Sequence, residues 1–342
     1  LNPSRLQRHR REKAHMSFEH LQIYLAPMEG ITTYIYRNAQ AAVYGRLDKY
    51  FTPFLEPHEK RSFKKRELQE ILPEHNQGLF VVPQILTNRA EGFLELAAAL
   101  KEFGYEEINL NLGCPSKTVT GKGKGAGFLA FPKELDRFLD RVFSGLGAGM
   151  RLSVKTRLGV ESPEEFPLLL DIFNSYPLEE LIVHPRVQRD YYNNCPNWEA
   201  FRAARQKSRA PLCYNGDLFT RKDIERFRTE FPDTERLMLG RGMIRNPGLM
   251  AGEETREEQK ERFRRFHSLV LEGYRAWNMG DRNVLFKMKE LWFYQIRQFE
   301  DAEKYGKKIK KAQRLSEYEE AVEELLGICR MCRTPDDTKN KP

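Results

Sequence analysis

EEINLNLGCPSKTVTGKGKGAGFL, residues 106–129, reads as a strand that runs straight into a reactive loop. The apolar run ends in Asn111, Gly113 and Cys114. A loop follows at once, with Lys117, Lys122 and Lys124 set among Gly121, Gly123, Gly125 and Gly127. A core strand does not need to end this way. A thiol at a strand's end, beside a mobile basic loop, points to chemistry on a large anionic substrate.

Similar runs lie on both sides of it. IYLAPM (23–28), KYFTPF (49–54), FVVPQIL (80–86), INLNLG (108–113), RLSVKTRLG (151–159), LIVHPR (181–186), PLCYNG (211–216) and RLMLGRG (236–242) are short, apolar and β-branched. Helical patterns separate most of them, such as RAEGFLELAAALKEFG (89–104) and PKELDRFLDRVFSGL (132–146). Strands alternating with helices make parallel βαβ units. Eight such units in this length predict an α/β fold of the closed (β/α)8 TIM-barrel type rather than an open doubly wound sheet. Seven of the runs end in polar or reactive residues, and the C-terminal ends of barrel strands line the active site. A merely structural barrel does not need that polar ring, so the pattern predicts an enzyme.

The bulk composition sets the limits. The chain has 342 residues, 40% of them hydrophobic and 31% charged, which describes a soluble, packed protein. The apolar runs fall far short of the ~20 residues of a membrane span, and no signal-peptide core is visible. The net charge of +8 favours a polyanionic partner. Five scattered cysteines, Cys114, Cys195, Cys213, Cys329 and Cys332, fit a reducing cytoplasm and not a disulfide framework. Residues 1–17 are basic and polar and read as a disordered extension. The barrel is expected over 18–250, a smaller all-helical C-terminal domain over 251–332, and a tail over 333–342. Within that domain LFKMKELWFYQIRQF (285–299) is amphipathic and aromatic, KYGKKIKKAQR (304–314) is basic throughout, and SEYEEAVEELLG (316–327) is an acidic helix with a glycine stop signal.

The strand ends suggest roles. YNGD (214–217) and LGRGMIRNP (239–247) stand at the last two strands, where barrels often bind phosphate. Glycine lets the backbone approach closely, and Arg241 can add a charge-assisted bond. Lys155 is a cation aimed at the same mouth, able to stabilise a reduced flavin ring. Gln84 can meet the edge of a flat heterocycle. His184 and Arg186 end the sixth strand, where the imidazole can hold a ring carbonyl or a phosphate. Metal is not expected, because neither a second His nor a carboxylate lies at ligand spacing from His184 and Cys329-x-x-Cys332 has no second pair. Cys114 can be a proton donor or a nucleophile, and spacing alone leaves both open.

Taken together, these pieces resemble the tRNA-dihydrouridine synthases, FMN enzymes that reduce uridines in transfer RNA. The resemblance runs in order through LAPMEGITTYIYRNA, VPQILTN, INLNLGCPSK, LSVKTRLG, LIVHPR, YNGD and LGRGMIRNP, over about residues 21–250. NLGCPSK is the most specific piece, and the helical tail agrees with the family's tRNA-recognition domain. The resemblance implies that Pro27, Met28 and Glu29 line the flavin, that Gln84 and Lys155 contact its rings, and that His184 lies near it. It implies that Asn215, Gly216, Asp217, Gly240 and Arg241 hold the ribityl chain and phosphate. Asn111 would lie beside the uracil, Cys114 would be the proton donor, and NADPH would reduce the FMN. Lys117, Lys122, Lys124 and Arg186 are the expected substrate contacts. Transfer RNA is the expected partner, with no membrane and no obligate protein partner.

The chain departs from the common pattern in carrying Glu29 after Met28, as in one branch of the family that has APMEG, and in having no Asp in Ile31-Thr32-Thr33. That difference bears on which uridine is modified. Two other readings compete. An FMN barrel acting on a free pyrimidine would share the phosphate site, but needs neither the basic helical tail nor the lysine loop. A non-catalytic RNA-binding barrel would not need Cys114, Lys155 and both glycine motifs.

Overall fold

The computed structural model describes residues 20–58, 63–252 and 254–332. The stretch 1–17 and the tail 333–342, set apart above, lie outside the described residues.

Every one of the eight apolar runs forms a strand. They are β1 Gln22–Leu25, β2 Lys49–Phe51, β3 in two pieces at Val81–Val82 and Gln84–Ile85, β4 Glu107–Leu112, β5 Arg151–Arg157, β6 Leu181–His184, β7 Leu212–Tyr214 and β8 Arg236–Leu239. All neighbours are parallel, and β1 pairs with β8, Gln22 opposite Arg236 through Leu25 opposite Leu239. Pro83 divides β3 because it has no N–H to give to a ladder. The piece before it pairs with β2 and the piece after it with β4, so the barrel closes through this one segment. Pro83 still accepts through its carbonyl, from the Asn109 N–H at 2.9 Å.

Helices α1 Tyr34–Tyr44, α2 Lys65–Ile71, α3 Ala90–Glu102, α4 Pro132–Gly145, α5 Phe166–Asn174, α6 Trp198–Lys207, α7 Arg221–Glu230 and the short α8 Arg241–Arg245 lie between and after the strands. In α4, Leu135, Phe138, Leu139 and Val142 repeat at helical spacing and are buried, which gives the helix one apolar face for the sheet. Proline at its first position suits a turn whose N–H groups have no partner. Inside the barrel a separate apolar cluster contains Tyr24, Phe51, Val82, Ile182, Cys213 and Met238. The N-terminal end of the barrel is closed by charge. Lys49 meets Glu107 at 2.9 Å and Glu180 at 2.8 Å, both carboxylates being almost wholly buried.

After α8 the chain is helical, with α9 Arg256–Ala276, α10 Asp281–Gln295, α11 Glu303–Lys311 and α12 Leu315–Ile328. These helices share the barrel's core. α9 lies along α1, with Tyr36 edge-on to Phe266 at 5.3 Å between ring centroids and Tyr274 hydrogen-bonded to Thr33 at 3.1 Å. Gly273 permits that approach, since a Cβ there would fall 2.6 Å from the Ile35 side chain. The helical part is centred on Tyr318, whose hydroxyl meets His267 and accepts from the Trp292 indole at 2.7 Å. One sequence signal is corrected. Gly327 does not stop its helix; α12 runs through it to Ile328 because Leu325 and Leu326 are packed in the core.

Candidate active site

A cavity of about 430 Å³ opens at the C-terminal ends of the strands. It falls in the range of roughly 300–1,000 Å³ used by cofactor sites. Pro27, Met28, Glu29, Gln84, Asn111, Cys114, Lys155, His184, Asn215, Gly216, Asp217, Gly240 and Arg241 all line it. Barrel closure brings together residues as far apart in the chain as Pro27 and Arg241.

Cys114 is set by a buried chain of amides. Asn111 accepts from the backbone N–H groups of Gly113 and Cys114, both at 3.0 Å, through its one side-chain oxygen. Its amide nitrogen donates to Gln84 at 2.7 Å. Gln84 in turn donates to Asn109 at 2.8 Å, and Asn109 donates to the Ser153 hydroxyl at 2.9 Å. Asn111 is thus already committed to fixing the strand end that carries the thiol. Gln84 is held on both sides in the same way.

The loop beyond Cys114 differs from its sequence reading. It is packed, not free. Lys117–Thr120 forms one helical turn, Gly125–Ala130 forms a 3-10 turn, and Ala126 through Leu129 are buried. Its glycines serve close packing. Gly125 has φ +56°, and a Cβ there would stand 2.8 Å from the Cys114 carbonyl oxygen. Lys117 and Lys122 are exposed outside the cavity. Lys124 is also outside it, paired with Glu56 at 2.9 Å.

Arg186 is the second departure. It is 1% exposed and does not line the cavity. Its guanidinium donates to both Asp217 oxygens, at 2.8 and 2.5 Å, to the Asn194 carbonyl at 2.5 Å and to His184 at 3.0 Å. Those bonds leave it no reach toward a substrate; it braces Asp217 and His184 from behind. A guanidinium cannot accept, so His184 Nε2 must be the acceptor and its proton sits on Nδ1. Burial and four surrounding cations push the His184 pKa far below the ordinary histidine value, so the ring stays neutral. Asp217 also accepts from Arg241 at 2.5 Å.

Arg157, Tyr191, Tyr192, Phe219 and Tyr294 also line the cavity, and the sequence reading assigned them no role. Arg157 was visible at a strand end beside Lys155. It is fully buried and donates to the carbonyls of Gly113, Val187 and Tyr191, each at 2.9 Å. Tyr191 is held at φ 48°, a left-handed backbone that non-glycine residues rarely adopt. Tyr192 then lies under the Arg241 guanidinium, 4.3 Å from its ring centroid. No signal in the sequence forecast this loop's path. Tyr294 comes from α10, which also donates Lys287 Nζ to the Gly30 carbonyl at 2.8 Å.

The field in the cavity is positive. Burial, with Arg157 alongside, lowers Lys155 to about 8. Burial pushes the Cys114 thiol up, outweighing the nearby cations. It is therefore a protonated acid at neutral pH. Among the described residues no group of three or more His, Cys, Asp or Glu could hold a metal.

Fold and site together define a parallel barrel whose strand ends set buried cations and a protonated thiol around one cavity. The family described as Dihydrouridine synthase (Dus) matches residues 24–333, and the chain belongs to it. It is 32% identical over 235 residues to the tRNA-dihydrouridine(16) synthase of Pseudomonas putida, covering 67% of this chain and 72% of that one. It is 27% identical over 248 residues to the probable tRNA-dihydrouridine synthase 2 of Bacillus subtilis, covering 69% and 73%. Among solved structures, 2-naphthoyl-CoA reductase shares the fold at TM-score 0.53 and 10% identity, over 73% of this chain and 51% of that one.

Proposed function

We propose that this protein reduces the C5–C6 double bond of a uridine in transfer RNA, with FMN as its flavin and NADPH as the reductant. The observation that carries this reading is a protonated Cys114 in the same cavity as Lys155, Asp217 and Arg241. The cavity fits a flavin phosphate. The N–H groups of Gly216 and Asp217 have no acceptor among the described residues. Gly240 lies on the cavity wall, where a Cβ would be in ordinary contact with Ala26 at 3.4 Å and Met28 Sδ at 3.7 Å. Asn215, Gly216, Asp217, Gly240 and Arg241 would hold the ribityl chain and phosphate. Pro27, Met28, Glu29, Gln84, Lys155 and His184 would surround the rings.

Bound and reduced, FMN supplies the hydride that enters C6 of the uracil. The chain's own residues do the rest. Lys155 and Arg157 hold positive charge over the site as an enolate develops on the base. Cys114 gives its proton to C5. Asn111 keeps the thiol in place. The uracil must leave its stack to reach this depth, at about a few kcal/mol. Lys117, Lys122 and the exposed lysines of 304–314 would offset part of that through phosphate contacts. The helices after residue 251 then serve as the tRNA-recognition part. The relatives named for position 16 make it the first position to examine. No helix among the described residues is long and apolar enough to cross a membrane.

Purified protein should be yellow with bound flavin and should form dihydrouridine in unmodified tRNA when given NADPH. A protein that takes up FMN and oxidises NADPH but reduces only free pyrimidines would favour the small-molecule alternative. One that takes up no FMN would reject both.

The lowered Lys155 pKa gives a further expectation. At the rings only the ammonium form of Lys155 can donate a charge-assisted hydrogen bond to the polar edge of FMN. FMN affinity should hold below pH 8 and weaken as Lys155 loses its proton through about 8. A charge-assisted hydrogen bond of roughly 1.5–3 kcal/mol makes the loss about tenfold or more. Flavin fluorescence quenching across pH 6.5–9.5 would read it. Lys155→Met should bind weakly at every pH and lose the step; a step that persists in this variant assigns it elsewhere.

A further inference from the structure

Two exposed phenylalanines stand on one helix beside the cavity mouth. Phe286 is 56% exposed and Phe293 is 68% exposed. They are seven residues apart on α10, two helical turns, and so project from the same face. A helix covering a barrel has no packing use for bare rings on its solvent side, and paired exposed aromatics mark a contact surface. Both line a groove of about 900 Å³ between α10 and α11. Its far bank carries Lys307 and Lys310, which are exposed and have no ion-pair partner among the described residues. On the near side, Glu290 is neutralised by Lys287 and Glu300 by Arg256, so the free acids Asp301 and Glu303 lie only where α11 begins. The groove neighbours the cavity through one pair of adjacent rings. The Phe293 ring is edge-on to Tyr294 at 5.1 Å, and Tyr294 lines the cavity itself.

We infer that this groove seats an unpaired nucleobase adjacent to the uridine that enters the cavity. The inference rests on the proposed function. Turning one base out of a stack frees a face of the base beside it. That neighbour is tethered within one nucleotide of the mouth, where Phe293 stands. Aromatic side chains take such bases by stacking, and flanking lysines take the phosphates. An apolar peptide would also like the rings, but it would leave Lys307 and Lys310 unused. The groove therefore reads whether the target's neighbour is unpaired, a choice that the barrel cavity, filled by the flavin and the target base, cannot make.

The test uses the full-length protein with Phe293→Ala, Phe286→Ala and Phe293→Trp variants. Filter binding gives the Kd for an unmodified tRNA transcript, and dihydrouridine formation gives KM and kcat. Loss of one base stack is expected to raise Kd and KM about tenfold, within a range of about 5- to 150-fold. The kcat should stay within about twofold and thermal stability should not move, because the ring is exposed. Phe293→Trp should restore both constants, since indole also stacks. Kd and KM within about twofold of the parent in both alanine variants would overturn the inference, and so would loss of a protein partner with tRNA affinity intact. A parent enzyme that makes no dihydrouridine in any tRNA would instead sink the proposed function. The Kd comparison would still decide the groove.

Discussion

Cys114→Ala protein is expected to bind FMN and tRNA as the parent does, yet to form dihydrouridine about 10²- to 10⁴-fold more slowly. Hydride can still be delivered, but the enolate on the base finds no acid. The geometry makes the effect specific. Asn111 fixes the backbone N–H groups on either side of the Gly113–Cys114 bond, so alanine keeps the backbone and removes only the thiol. The pH profile provides a second check. An acid must be protonated to act, and burial places this thiol above its ordinary value. Turnover limited by proton donation should therefore hold level across neutral pH and fall only on the alkaline side, beyond the ordinary thiol range. A Cys114→Ala variant that turns over normally would remove the proton-donor role. A profile falling below pH 7 would point to a thiolate nucleophile.

The largest stability effect is expected at Glu70. Arg37 is 0% exposed and Glu70 4%, and they meet at 2.9 Å. The guanidinium also donates to the carbonyls of Thr32 and Glu70 and to the Asn76 side chain. Glu70 in addition accepts the Tyr34 N–H at 2.7 Å, at the start of α1. Glu70→Ala leaves a buried cation without its counter-charge, which costs about 3–5 kcal/mol. Urea unfolding would measure it. A loss under about 1 kcal/mol would mean that water or another group replaces the carboxylate. The site should feel the change too. Thr32 accepts the Met28 N–H at 2.8 Å, so loosening α1 loosens the wall that Pro27 and Met28 form.

The barrel was legible because each strand is a short, apolar, β-branched run that ends in a polar residue. Its C-terminal ends therefore announced the cavity. Cys114, Lys155 and Arg241 were found because each sits within a residue or two of such an end. Arg186 misled for the same reason. Position along a strand says which end a side chain is near, not whether its charge is already spent on Asp217. The 117–127 loop was misread because lysine and glycine describe a flexible segment and a tightly folded one equally well. Only the packing tells them apart, as where Gly125 lies on the Cys114 carbonyl. Tyr192 and Tyr294 carried no signal. One depends on a left-handed Tyr191 held by Arg157, the other on how a distant helix lies across the mouth.

That helix limits modularity. α10 gives the cavity Tyr294 and grips the Gly30 carbonyl through Lys287, while α9 shares its core with α1. A chimaera that joined this barrel to a relative's helical segment would therefore inherit a foreign wall around its own reaction centre. Under the proposed function, changing which RNA is recognised would also change how the loop at Gly30 is held. New target positions would have to arise by coordinated drift of both halves, not by exchange of one.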